Sequence, residues 1–135
     1  MSNVKNKLQN MQFMYLARIG QSDTNAPVVD VLHNNIGTQV TFSFNSDGNF
    51  LATLADDVGI IFIPNPLVFI LNGLLTSPEG TTIQYTDYME MSSFYTDHLN
   101  IGILTYRVTG DQLEYRNNIL EQEYNFIQFF VIKNV

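Results

Sequence analysis

The sequence predicts an all-β domain, most simply an antiparallel β-sandwich with jelly-roll-like or immunoglobulin-like topology. Several short runs alternate apolar and polar residues with the period of two that characterises half-buried strands. Turn sequences that contain Gly, Asn, Asp or Pro separate these runs. Residues 5–14 are the one segment whose spacing also allows a short helix. We therefore expect about eight or nine short strands.

The first half of the chain contains the clearest strand signals. Residues 12–19 form an expected first strand, whereas residues 28–32 fit either a short strand or one helical turn. Residues 38–45 and 49–55 alternate apolar with polar side chains, and the sequence Asn45-Ser46-Asp47-Gly48 between them tolerates positive φ angles. These two runs are therefore expected to pair as an antiparallel hairpin.

The longest apolar stretch of the sequence lies between residues 58 and 75. Pro64, Asn65 and Pro66 interrupt this stretch, so a helix that spans a membrane is disfavoured. Residues 59–63 and 67–71 are instead expected to form two buried strands on either side of a Pro-Asn-Pro turn.

Three further segments complete the predicted fold. Residues 81–88 form an expected strand after the turn Ser77-Pro78-Glu79-Gly80. Residues 100–109 and 112–117 are expected to form a second hairpin around Gly110 and Asp111. Residues 124–132 are almost continuously apolar, which predicts a strand buried on both faces by a second sheet or a neighbouring subunit.

Composition excludes several classes of function. The chain has 6 Lys and Arg residues against 13 Asp and Glu residues, and its formal net charge is −7. Binding to nucleic acid or to an anionic membrane surface is therefore not expected. The absence of cysteine excludes a disulfide scaffold, a thiolate zinc site and a cysteine nucleophile. His33 and His98 lack further ligands at metal-binding spacing, so we expect no metal site, no cofactor and no catalytic residues.

The chain is expected to comprise a polar N-terminal arm, residues 1–10, and one sandwich domain, residues 11–135. The N-terminal residues lack the apolar region of a secretory signal, so neither a signal peptide nor a transmembrane segment is expected. Residues 19–106 contain no Lys or Arg. A surface rich in Asn and Thr loses little side-chain entropy when it is buried, which suits an assembly subunit.

Two surfaces are candidates for binding. Apolar runs exceed what one small sandwich has room to bury, so part of them is expected to form an assembly interface. The candidate interface residues are Ile60, Phe62, Leu67, Phe69, Leu71, Phe126, Phe129 and Val131. A second candidate surface, for a glycan or another ligand, groups aromatic residues that have acids nearby: Tyr85, Tyr88, Phe94 and Tyr95.

A series of short motifs marks the N-terminal half. An aromatic strand that begins at Tyr15 is followed by the sequences Gln21-Ser22-Asp23-Thr24-Asn25-Ala26-Pro27 and Val31-Leu32-His33-Asn34, and then by Gly37. The strand Val40-Thr41-Phe42, the turn Asp47-Gly48 and the strand Phe50-Leu51-Ala52-Thr53-Leu54 come next. This pattern resembles a small β-module of virion-associated proteins from phages that infect Bacteroidetes. The resemblance implies a structural virion component, such as a head-fibre, capsid-decoration or tail subunit, made in the host cytoplasm.

The expected function is therefore that of a non-enzymatic virion subunit that acts through protein–protein contacts. Its expected partners are other virion proteins and further copies of itself in a homo-oligomer such as a trimer. The alternative is a small-ligand or carbohydrate-binding module, built as a β-barrel or a β-sandwich around the same apolar runs.

Overall fold

The computed structural model describes residues 10–93, 98–121 and 125–134. Within these ranges the chain is all-β, with ten strands in two antiparallel sheets that form a β-sandwich and no helix. The strands are β1 Asn10–Gly20, β2 Val28–Asn34, β3 Val40–Ser46, β4 Asn49–Leu54, β5 Ile60–Phe62, β6 Leu67–Thr76, β7 Thr82–Ser93, β8 Asn100–Thr109, β9 Gln112–Tyr115 and β10 Phe126–Asn134.

The four-stranded sheet has the order β2-β1-β10-β5, and the six-stranded sheet has the order β3-β4-β8-β7-β6. Strand β9 pairs with the second half of β8, next to the part that pairs with β4. Strands β2, β5, β3 and β6 therefore lie at the sheet edges. The predicted fold class is confirmed.

The core consists of the side chains that face inward from both sheets. The ring of Tyr15 on β1 stacks on that of Phe129 on β10, with centroids 5.1 Å apart. The other large side chains that are fully buried are Ile19, Ile36, Phe50, Leu54, Met89, Ile101, Ile103, Leu120, Ile127 and Val131. Because those on strands alternate with more exposed residues, the period of two read from the sequence defines the inner face.

Both predicted hairpins are confirmed. Strands β3 and β4 pair around the turn that contains Asp47 and Gly48, and β8 pairs with β9 around Gly110. Residues 28–32 belong to strand β2 and do not form a helical turn. Residues 10–14 belong to β1, so a helix over residues 5–14 is wrong for the part that the structure describes.

The burial of the apolar segments differs from the expectation in two places. Strands form within residues 59–63 and over residues 67–71, as expected, but they are not buried, because β5 and β6 lie at the edges of different sheets and expose Ile60, Phe62, Leu67 and Phe69. Within one chain, β10 is buried on its inner face only: Ile127, Phe129 and Val131 face the core, whereas Phe126 on the outer face is exposed.

Tyr15→Phe is expected to raise the free energy of unfolding by about 1 kcal/mol at neutral pH. The Tyr15 hydroxyl is buried and has no hydrogen-bond partner among the described residues, so its removal relieves a desolvation cost. Denaturant unfolding followed by circular dichroism measures the difference, and a less stable variant would contradict this account.

The same residue gives a pH dependence. Burial raises the pKa of Tyr15 above 10.0, its ordinary value. The folded state therefore favours the neutral phenol, and this contribution to stability is complete below the ordinary value and is lost as the pH rises through the raised value. The wild type should lose stability above about pH 10, and Tyr15→Phe should lose less of it.

Candidate assembly surface

The distal part of the β6–β7 hairpin is exposed on both of its faces. We call residues 71–87, which comprise the ends of the two strands and the turn between them, the hairpin arm. Leu74 is 63% exposed on the outer face, while Leu75 and Ile83 are 42% and 46% exposed on the inner face. Neither face of this part of the hairpin is therefore covered by the other sheet, although its side chains are those of a core.

The edge of the hairpin arm lacks the usual protection against strand pairing. Strand β6 lies at the end of its sheet and contains no charged residue. Natural edge strands are usually short, or carry a Pro or a charged residue such as Lys, because unpaired backbone groups otherwise attract another strand. The one irregularity of β6 is a bulge between Phe69 and Leu71, and the strand beyond it runs regularly to the turn. Long, apolar and uncharged, β6 is suited to pairing with a partner.

An open groove of about 370 Å³ lies where the edges of the two sheets meet. Strand β10 pairs with β5 only over Phe130–Ile132, which leaves the beginning of β10 without β5 as a neighbour. The beginning of β10 and the edge of β6 line the same groove. The groove is lined by Leu67 and Phe69 of β6 and by Phe126 of β10, with Met91 from the core also contributing. The structure thus brings together three of the residues that the sequence places in an assembly interface.

The other candidate interface residues are distributed differently. Ile60 and Phe62 lie exposed on the outer face of the four-stranded sheet, opposite Ile132 and Phe130 of β10. Leu71 lies on the inner face of the hairpin arm, because it pairs with Asp87 after the bulge.

The expected place of Phe129 and Val131 in an assembly interface is wrong. Both are 0% exposed and face the sandwich core, so no partner can contact them in the folded chain. They face inward like Ile127. Because almost every residue of β10 is apolar, the sequence does not show which of them face the core.

The aromatic residues expected to form one ligand surface do not lie together. Tyr88 is on the outer face of β7, whereas Tyr85, three residues earlier, faces inward with Met89 and Met91. A single platform that includes Tyr85 and Tyr88 is therefore wrong. Phe94 and Tyr95 lie outside the described residues.

Tyr88 belongs instead to a row of four rings across the outer face, which we call the aromatic ladder. Phe69, Tyr88, Tyr106 and Tyr115 are successive register partners on β6, β7, β8 and β9. The ring centroids of Tyr88 and Tyr106 are 5.6 Å apart, and those of Tyr106 and Tyr115 are 6.0 Å apart. Burial, followed by the nearby charge of Glu90, raises the pKa of Tyr106 above its ordinary value.

A charged pair lies on the inner face where the hairpin arm meets the core. Arg107 donates two hydrogen bonds to the buried carboxylate of Asp87, from Nε to Oδ1 at 2.8 Å and from Nη2 to Oδ2 at 3.1 Å. The guanidinium also lies 3.6 Å from the centre of the Tyr85 ring. The hydrogen bonds to Asp87 raise the pKa of Arg107, although burial opposes this effect. The pair thus places a cation against the Tyr85 ring, which favours this orientation of the ring.

No cluster of acids and histidines that could hold a metal ion occurs in the part of the chain that the structure describes. His98 lies 3.2 Å from the carboxylate of Asp57 through Nδ1, in a partly exposed contact between the loops that follow β4 and β7. Asp97, the neighbour of His98 in the sequence, lies outside the described residues.

No helix in the described ranges is long and apolar enough to cross a membrane. No protein-family model, curated protein or solved structure matches the chain.

Proposed function

We propose that this protein is a non-enzymatic structural subunit that assembles with further copies of itself through the hairpin arm and the adjoining groove. The observation that carries this proposal is the hairpin arm, whose leucines are exposed on both faces beside an uncharged edge strand. A monomeric protein gains nothing from extending such a hairpin into water, because exposed apolar surface and open edges favour aggregation. A specific partner that covers the hairpin arm removes both costs.

The charge distribution supports self-association. Two copies that each carry a net charge of −7 repel one another over most of their surface. Glu79, at the turn, is the one charged residue between Leu67 and Gln84, so two copies can meet along this part of the hairpin without bringing like charges together.

Leu75→Lys is expected to convert the multimer into a monomer of 15.4 kDa at concentrations where the wild type is assembled. Covering an unpaired ammonium group costs roughly 3 kcal/mol, which weakens association by about two orders of magnitude. Sedimentation velocity measures the mass. Leu32→Lys is the matched control, because Leu32 is similarly exposed on β2, the edge of the other sheet. Equal masses for Leu75→Lys and the wild type would exclude the inner face of the hairpin arm from the interface.

We further propose that the assembly is part of a phage virion, as a head-fibre, capsid-decoration or tail subunit. The support is the resemblance of residues 15–54 to virion-associated modules, and these residues supply β1 to β4 of the sandwich. Mass spectrometry of purified particles of the phage that encodes the chain tests this assignment. Several copies in each particle are expected, and the absence of its peptides from intact particles would overturn it.

The aromatic ladder favours a second candidate function, the binding of a carbohydrate. The rings at the two ends of the ladder, Phe69 and Tyr115, are exposed and offer stacking surfaces for sugars, and the hydroxyls of the three tyrosines offer hydrogen bonds. If the chain binds glycans, Tyr115→Ala should abolish retention on a glycan array, whereas Val28→Ala on the opposite sheet should not. Retention by neither the wild type nor the control would remove this candidate.

A further inference from the structure

We infer that the hairpin arm binds a second copy by antiparallel pairing of β6 with β6 of the partner, about a twofold axis through Gly73. This inference deepens the proposed assembly function and rests on it. The contact joins the two six-stranded sheets into one continuous sheet, which is a common mode of strand addition.

The backbone of β6 has hydrogen-bonding groups to offer at its open edge. At the turn, the Ser77 N–H donates to the Thr81 carbonyl at 2.8 Å, so the backbone groups of Ser77 face β7. Because orientation alternates along an antiparallel strand, the N–H and C=O groups of Asn72, Leu74 and Thr76 face away from β7. A partner strand satisfies these groups without any change in the fold.

The side-chain pattern of β6 is self-complementary. A twofold axis through Gly73 places Leu71 of each copy opposite Leu75 of the other, on the inner face. These positions are pairs without backbone hydrogen bonds, in which the side chains approach most closely. The axis thus brings four leucines together beside the two Ile83 side chains, which lie opposite Leu75 within each copy.

Gly73 and Tyr85 form the centre of this contact. The Tyr85 ring lies directly over Gly73, its register partner, where a Cβ atom at residue 73 would lie 2.6 Å from Cε1 of the ring. The ring therefore fills the space between Leu71 and Leu75 that a side chain at residue 73 would occupy. Arg107, stacked on Tyr85, favours this position of the ring.

The occupant is a second copy, and not a basic or acidic partner of another kind, because the contact strand is uncharged. A cationic partner would be attracted to surfaces that carry the chain's 13 acidic residues, and β6 carries none of them. In a contact about a twofold axis, the strand pairs with an antiparallel copy of itself, so residues at equal distances on either side of the axis face each other. Leu71 and Leu75 lie at equal distances from Gly73 and are therefore complementary.

The absence of cysteine from the wild type allows a direct test. Leu71→Cys and Leu75→Cys are prepared separately, mixed in equal amounts, allowed to exchange subunits and oxidised gently. In the inferred register residue 71 of one copy faces residue 75 of the other, within disulfide range. About half of the chains should form a disulfide-linked dimer on a non-reducing gel, because half of the randomly formed dimers are mixed.

Each variant oxidised alone is the first control. In a dimer of Leu71→Cys alone, the two introduced thiols would be separated by about four strand positions, roughly 13 Å, which is too far for a disulfide. A mixture of Leu75→Cys with Leu32→Cys is the second control, and it should give no linked dimer. Linkage of either variant alone at the yield of the mixture would overturn the register.

The native mass of each reduced cysteine variant separates this inference from the proposed function. A multimeric mass without linkage in the mixture would overturn strand pairing while leaving assembly through another surface. A monomeric mass for the wild type and for both variants would overturn strand pairing and the proposed assembly function together.

Discussion

Arg107→Met is expected to lower the free energy of unfolding by about 3 kcal/mol or more at neutral pH. The substitution keeps much of the aliphatic stem but leaves the carboxylate of Asp87, which is 3% exposed, without its two charge-assisted hydrogen bonds. An uncompensated buried charge is among the most costly defects in a folded protein. Chemical denaturation followed by circular dichroism measures the loss.

Two further variants test the cause of this loss. Arg116→Met breaks the exposed contact of Arg116 with Glu114, at 3.2 Å, and should cost less than about 1 kcal/mol. The double variant Asp87→Leu with Arg107→Met removes both charges and should recover most of the stability that Arg107→Met loses. Equal losses for Arg107→Met and Arg116→Met would show that the Asp87 pair is no more important than a surface contact.

Gly48→Ala is expected to cost about 3 kcal/mol, the second large effect. Gly48 is buried in the β3–β4 turn with a φ of 66°. A Cβ atom there would overlap the carbonyl oxygen of Thr105 and would lie 2.5 Å from the backbone nitrogen of Arg116. Because both neighbours are backbone atoms, neither can rotate away, and the turn must shift.

The position is also held by hydrogen bonds that such a shift would break. The Thr105 N–H donates to the Gly48 carbonyl at 2.8 Å, and the Gly48 N–H donates to Oδ1 of Asn117 at 2.9 Å. Gly80→Ala is the matched control, because Gly80 also has a positive φ but has no atom within 4 Å of the position that a Cβ would take. It should cost only about 1 kcal/mol, for the backbone conformation alone. Similar losses of unfolding free energy for the two variants would exclude the predicted overlap.

The strands could be predicted from the sequence, but their partners could not. The turn at Asp47 and Gly48 determines both strands of its hairpin, because hairpin pairing is local and the turn residues are specific. The apolar runs on either side of Pro64 and Pro66 predict strands equally well. Nothing local shows that β5 and β6 join different sheets, because the sheet that each one joins is decided by residues far away in the sequence.

The candidate surface could be predicted only in part, because the sequence identifies apolar residues but not which of them the fold leaves exposed. Leu67, Phe69 and Phe126 come together at the groove, and each of these side chains is left exposed by its own sheet. Phe129 and Val131 are in the core, and only the alternation along a known strand distinguishes them from Phe126.

The pair of Asp87 with Arg107 carries a weaker signal in the sequence. Arg107 is the first basic residue after Arg18, so its charge is unusual in this part of the chain. Its partner is identified only by the register of β7 with β8, which the sequence does not specify.

The native mass of the wild type, measured by light scattering after size-exclusion chromatography, tests the central claim of assembly most directly. The measurement covers a wide range of protein concentration at low and high salt. Assembly through the uncharged, apolar edge strand of the hairpin arm predicts a stable multimer whose mass does not fall at high salt, because screening weakens charged contacts and not apolar ones. A mass of 15.4 kDa at every concentration and in both salts would contradict the account.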